Sequence, residues 1–258
     1  MDLRYIKIGN GHKKALAFHG FGQDASYFQC FEESVGQDYT IYSFNLPFHG
    51  DDDTEKNGKP ADLQQLKLFF AAFLEKHALD RFTVIGFSIG AKLALAVAEC
   101  FPQHIDRLVL IAPDGLKTNV WFKLATGSSI SRGIFRYIVH KPEGFFKFSE
   151  AVSSLKLIDP GIVKFARSQM NNLEKREKVY YTWMFFRTIS LSNKQINRLL
   201  LQHQIPVTLF LGSEDKIINE KHVRFLSDNP ALDVALNILP TGHNDLIKAT
   251  AGHLARTS

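Results

Sequence analysis

Cysteine is scarce in this chain, and long apolar runs are absent. The 258 residues hold two cysteines, Cys30 and Cys100. Two cysteines without metal-ligand spacing exclude a disulfide framework and fit a reducing, cytoplasmic compartment. No apolar stretch approaches the ~20 residues that span a bilayer, so stable membrane insertion is not expected. The first residues, Met1-Asp2-Leu3-Arg4-Tyr5, lack the apolar segment of a secretory signal. Neither an internal repeat nor a low-complexity segment is present.

What the chain does contain is an ordinary globular balance, with 45% hydrophobic and 22% charged residues. Phenylalanine is in surplus at 22 residues, which indicates a large apolar core or an apolar pocket. The net charge of +5 is unevenly spread. Residues 116–204 carry 15 Lys and Arg against 5 Asp and Glu, whereas the remainder is acidic.

The most informative stretch is Val84-Ile85-Gly86-Phe87-Ser88-Ile89-Gly90. The apolar run from Arg81 to Ile85 predicts a strand. Leu93, Ala94, Val97 and Phe101 recur at helical spacing, with Pro102 just beyond, and predict a helix from Ile89 to Phe101. Ser88 therefore stands at a sharp strand-to-helix turn. Side chains at the flanking positions 86 and 90 would collide with strand and helix, so glycine fits both. The starting helix aims backbone N–H groups and its positive dipole end at the serine. A solvated surface turn is the bland alternative.

Elsewhere, short strands are expected at Leu3–Ile8, Ala15–Phe18, Thr40–Phe44, Arg107–Ala112, Pro206–Leu211 and Val234–Leu239. Asn10-Gly11 reads as a hairpin signal. Leu63–His77 reads as a helix burying Leu66, Phe69, Phe70, Phe73 and Leu74, and a last helix begins near Asp245. Strands alternating with helices predict an α/β fold: a mostly parallel sheet of about seven strands, helices on both faces, and ligands at the strands' carboxyl ends. Ser88, Asp215, His243 and the His19-Gly20 turn all fall at such ends.

A serine hydroxyl needs a general base, and the base needs an acid to fix its tautomer. Ser88, Asp215 and His243 supply the three roles. A tetrahedral intermediate also needs two donors for its oxyanion, for which the backbone N–H groups of Ile89 and Phe21 are placed. On Phe18-His19-Gly20-Phe21-Gly22, Gly86-Phe87-Ser88-Ile89-Gly90, Gly212-Ser213-Glu214-Asp215 and Gly242-His243, the sequence resembles the α/β-hydrolase superfamily over about residues 14–114 and 205–258. The resemblance implies Ser88 as nucleophile, Asp215 as triad acid and His243 as base. It implies no metal and no organic cofactor. Serine at 88 argues against the branches that use aspartate there. Asn45 and Phe48 depart from the family's Asp-x-Pro-Gly-His-Gly, and Ala91 stands where a second glycine is frequent.

Asp114, also at a strand end, is a rival acid with a less fitting context than Asp215. His19 reads as a structural residue shaping the oxyanion loop, and His49 as a loop anchor. His77, His104 and His253 read as solvated, and the cysteines as packing residues.

About 90 residues separate Gly115 from the strand at Pro206, too many for a plain connection. The expected division is a core of 1–114 and 205–258 with a mostly helical cap at 115–204, as the resemblance implies for an insertion at this point. That segment holds 13 of the 31 aromatic residues. An apolar ceiling for the substrate is one reading. For any single ring, burial in the segment's own core is the simpler one. Its positive charge fits an anionic substrate, an anionic membrane surface touched peripherally, or most simply a solvated face. Nucleic-acid binding is not expected. The reading is a serine hydrolase acting on an ester-like bond of a small to medium apolar acyl substrate, most commonly a carboxylesterase. Hydrolysis of a C–C bond, lactone or thioester by the same triad, or a ligand receptor on the same fold, are the alternatives.

Overall fold

The computed structural model describes residues 3–52, 54–116, 120–147 and 167–257. Seven strands form one sheet: β1 (Tyr5–Ile8), β2 (Lys13–Phe18), β3 (Tyr39–Phe44), β4 (Phe82–Phe87), β5 (Ile105–Ile111), β6 (Val207–Gly212) and β7 (Val234–Leu239). Their order is β1-β3-β2-β4-β5-β6-β7. Strand β1 runs antiparallel to β3, and every other pairing is parallel. The sheet is mostly parallel, as expected.

Asn10-Gly11 does not make a hairpin. β3 lies between β1 and β2, and both edges of β2 are taken by parallel partners, β3 and β4. The Asn10 and Gly11 amides instead donate to Gly36 O and Tyr39 O at 2.9 and 3.2 Å. A Cβ at Gly11 would collide with the backbone of Asp38 and Tyr39, so the glycine serves a close approach of two chain segments.

Burial follows the apolar pattern. β4 and β6 are buried along their whole length, as strands covered on both faces are. β7, at the edge, is largely half-exposed. Among the helices, α1 (Phe31–Val35) is short. α2 (Leu63–Lys76) starts at Asp62, whose carboxylate accepts from the Gln64 and Gln65 amides, and it buries Leu66, Phe70, Phe73 and Leu74. Phe70 meets Phe18 and Phe44 edge-on, with ring centroids 5.8 and 5.4 Å apart. α3 (Gly90–Cys100) is apolar apart from Lys92 and Glu99, and it is almost wholly buried. His77, expected to be solvated, packs on Tyr42 and Phe73, and its Nε2 lies 3.0 Å from the Tyr5 hydroxyl.

The chain divides into two compact units. The first comprises residues 1–54, 62–117 and 189–258, and contains the sheet. The second comprises 55–61 and 118–188. The helix Asn193–His203 thus groups with the sheet, while the short segment 55–61 groups with the helices.

The second unit contains α4 (Val120–Thr126), α5 (Ser129–His140) and the helix Leu173–Phe186. Several of its rings bury one another: Phe135 meets Tyr180 and Trp183, and Phe122 meets Trp183, all at 5.3–5.4 Å. Buried Arg176 donates to Val139 O and Met170 O, so carbonyls near a helix end receive a cation. The segment 55–61 is tied in by Ala61 N to Phe185 O, Thr188 Oγ1 to Ala61 O and Arg187 to Gly58 O. Phe148, Phe165 and the Trp121 side chain lie outside the described residues.

Candidate active site

Ser88 is the first residue after β4, two residues before α3 begins. Its φ of 50° lies in the left-handed region, a costly conformation for a residue with a Cβ. Neighbours hold it there. The Ser88 amide donates to Ile111 O and the Asp114 amide donates to Ser88 O, each at 3.0 Å. The flanking glycines are required by space. A Cβ at Gly86 would lie 2.6 Å from Ala91 Cα and 2.8 Å from Ala94 Cβ, and one at Gly90 would collide with the carbonyl oxygens of Phe18 and His19.

His243 follows β7, and its ring reaches Ser88 across 155 residues of sequence. The distance from Nε2 to Ser88 Oγ is 3.1 Å. On the other side Nδ1 is 2.6 Å from Asp215 Oδ2. A carboxylate only accepts, so Nδ1 carries the proton and Nε2 is left to accept from the serine hydroxyl. Asp215 is held in turn: its Oδ1 accepts from the amides of Ile217 and Ile218 at 2.7 and 3.0 Å. Its side chain is fully buried, whereas that of His243 is 12% exposed. The Phe87 ring lies against the imidazole, with centroids 5.1 Å apart.

Asp114 is not part of this chain of contacts. Its carboxylate lies 3.9 Å from Lys92 Nζ. Lys92 is buried in α3, and that burial pulls its ammonium below the usual lysine value, with Asp114 opposing the shift. Sequence reading missed Lys92. The signal was there: it is the single charge in the run Gly90-Ala91-Lys92-Leu93-Ala94-Leu95.

The loop after β2 is shaped by side chains. His19 Nδ1 faces Gly20 O at 2.8 Å, and its Nε2 accepts from the Leu46 amide at 3.0 Å. Gln23, also missed, accepts from the Gly20 amide through Oε1 at 2.9 Å. Among the described residues, neither the Phe21 nor the Ile89 amide donates a hydrogen bond. Both therefore remain available to an incoming acceptor.

The segment 45–50 explains its unusual residues. Asn45 accepts from the Ala25 amide and donates to Asp51 Oδ1, which a carboxylate could not do. Phe48 takes φ 69°, the conformation for which glycine is the easier choice. His49 Nδ1 lies 2.9 Å from Pro47 O inside the turn. Among the described residues, no group of three or more His, Cys, Asp or Glu could hold a metal.

A family model described as alpha/beta hydrolase fold matches residues 16–129. That match covers less than half of the chain and, with the shared sheet, supports the α/β-hydrolase superfamily. The chain is similar to the dihydrolipoyllysine-residue acetyltransferase component of an acetoin cleaving system from Cupriavidus necator. The two are 29% identical over 44% of this chain and 30% of that protein. It is also similar to putative esterase/lipase 2 of Mycoplasma genitalium, 32% identical over 38% of this chain and 37% of the relative. The chain thus spans about a third of the length of the curated relatives it matches first. Among solved structures, a thermophilic esterase from Thermogutta terrifontis superposes with a TM-score of 0.67. That likeness covers 99% of this chain and 90% of the esterase at 17% identity, and it shows a shared fold.

Proposed function

We propose that this α/β hydrolase cleaves an ester-like bond through an acyl-enzyme, with Ser88 as nucleophile, His243 as general base and Asp215 as the acid that orients it. The observation that carries the proposal is the continuous run of hydrogen bonds from Ser88 Oγ through His243 to Asp215, at 3.1 and 2.6 Å. The serine proton passes to Nε2 as Oγ attacks the carbonyl. Asp215, already bonded to Nδ1–H, stabilises the imidazolium that forms. The Ile89 and Phe21 amides receive the oxyanion. The imidazolium then protonates the leaving alcohol, and a water activated by His243 releases the acid.

The esterase names among the sequence relatives support an ester as the bond cleaved. In this reading a cap lies within residues 115–204, on the strength of their place between two strands of the core. The substrate is a small molecule with an apolar acyl group, in keeping with the aromatic content of that segment. Free Cys30 and Cys100 support a reducing, cytoplasmic setting.

A fluorophosphonate probe combined with p-nitrophenyl esters tests the proposal. One label is expected, at Ser88, together with multiple turnover of esters. Ser88→Ala removes both, and in other hydrolases loss of this serine costs on the order of 10⁶ in kcat. Undiminished labelling of Ser88→Ala would falsify the assignment. Labelling without turnover points instead to a receptor. Thioesters and lactones in the same panel identify the bond.

A further inference from the structure

We propose that the outer face of α5, together with Leu124 of α4, docks on the surface of an anionic lipid bilayer. The helix α5 is apolar on two opposite sides. One side, with Phe135 and Val139, is buried and meets Tyr180 and Trp183 through Phe135. Packing accounts for that side. On the other, Ile130, Ile134 and Tyr137 recur at i, i+4 and i+7, which puts them in one narrow stripe. They are 79%, 56% and 62% exposed, and Leu124 on the neighbouring helix is 63% exposed. Gly133 adds no side chain of its own to the face. Among the described residues, no ring of the second unit stacks on this second stripe.

The charge around the stripe identifies what covers it. Residues 115–142 contain no Asp or Glu, while Lys117, Lys123, Arg132, Arg136 and Lys141 are all basic. Lys123, Arg136 and Lys141 are exposed. Arg132 is engaged within the pair, donating to Thr126 O and Ser129 Oγ. An apolar stripe on two helices that carry basic residues and no acidic ones matches the interface of an anionic membrane, where side chains enter the acyl boundary and cations meet headgroups. A second copy would set the same cations against these across a two-fold axis, which is unfavourable. The helix is already formed, with Ser128 and Ser131 in a reciprocal cap, so docking carries no folding cost.

The test is co-sedimentation of the full chain with phosphatidylcholine vesicles, prepared with and without phosphatidylglycerol. Binding is expected with the anionic lipid only, and it should weaken as salt rises. Each basic residue at such a surface contributes about fivefold in partitioning, so Arg136→Glu/Lys141→Glu should lose roughly 30-fold or more. Ile130→Asp/Ile134→Asp should lose at least about tenfold through the apolar contact. Both variants should keep the parent's melting temperature and its hydrolysis of a water-soluble ester, and Ser88→Ala should bind vesicles like the parent. The vesicle result is therefore independent of the catalytic proposal. Several results overturn the docking proposal: no binding to anionic vesicles, equal binding to neutral ones, or unchanged binding in either double variant. A dimer that Ile130→Asp/Ile134→Asp dissolves would assign the face to a second copy. A large fall in that variant's melting temperature would show the stripe to be packed in the native state.

Discussion

At Ser88 two opposing demands meet. The residue needs a Cβ and hydroxyl to be a nucleophile, yet it sits at φ 50°, where a Cβ is unfavourable. Bonds to Ile111 and Asp114 on either side hold it there. The two candidate acids now separate by their surroundings. Asp215→Asn should lower kcat by about 10⁴, because the amide stabilises the wrong imidazole tautomer. Asp114→Asn should leave kcat nearly intact and cost about 1–3 kcal/mol of stability, since it removes a counter-charge from buried Lys92. Steady-state kinetics and urea unfolding of both variants check the pair, and the reverse pattern would move the acid role to Asp114. Lys92 also makes a pH prediction. Burial holds its ammonium below 10.5 in the folded state, so between the lowered value and 10.5 the unfolded chain binds more protons than the native one. Stability contributed by this group therefore rises with pH across that window, and the burial cost is fully present below it. Lys92→Met should abolish that rise and be at least as stable as the parent at neutral pH. Unfolding curves from neutral to alkaline pH measure it.

The element that matters most is the β4–α3 unit. Its helix begins so close to β2 that the Phe18 and His19 carbonyl oxygens occupy the space of any side chain at Gly90. Gly90→Ala therefore has to push backbone aside rather than a flexible side chain. The expected cost is about 1–3 kcal/mol, with a drop in activity larger than the drop in stability, because the displaced segment carries Ser88. Thermal unfolding and kcat/KM on one ester distinguish that outcome from simple destabilisation, in which activity per folded molecule would be unchanged. α2 offers a contrasting case. Phe70→Ala removes a fully buried ring wedged between Phe18 and Phe44, and should cost about 3–5 kcal/mol while leaving the activity of the folded fraction near that of the parent.

Over the whole molecule, charge and aromatic content divide unequally along the chain. Residues 116–204 hold the positive excess and 13 of the 31 aromatic residues. If the rings meet the substrate, each added acyl methylene should raise kcat/KM by up to about fourfold, equivalent to roughly 0.8 kcal/mol, until the pocket fills. If the cations steer an anionic ester, its kcat/KM should fall with salt while that of a neutral ester stays level. A matrix of chain length, substrate charge and ionic strength reads both. A flat chain-length series would remove the rings from the substrate path.

The sequence by itself determined the sheet's apolar strands, the serine turn and the residues at the strand ends. Each of these rests on local physics: period, glycine spacing and the chemistry of a side chain beside a turn. β7 was legible to its ends, and α2 to within one residue, because an alternating or helical apolar face has sharp limits. Tertiary structure decided what depends on distant chain segments. Asn10-Gly11 has the local chemistry of a hairpin, but β3 occupies the edge that a hairpin would need. His77 looked like a solvated polar residue until Tyr5, Tyr42 and Phe73 came from three other turns of the chain or helix to meet it. Asp114 and Asp215 both follow strands, and only the folded chain sets one against Lys92 and the other against His243. A strand end fixes where a carboxylate begins, and the packing of its neighbours decides which cation or imidazole it meets.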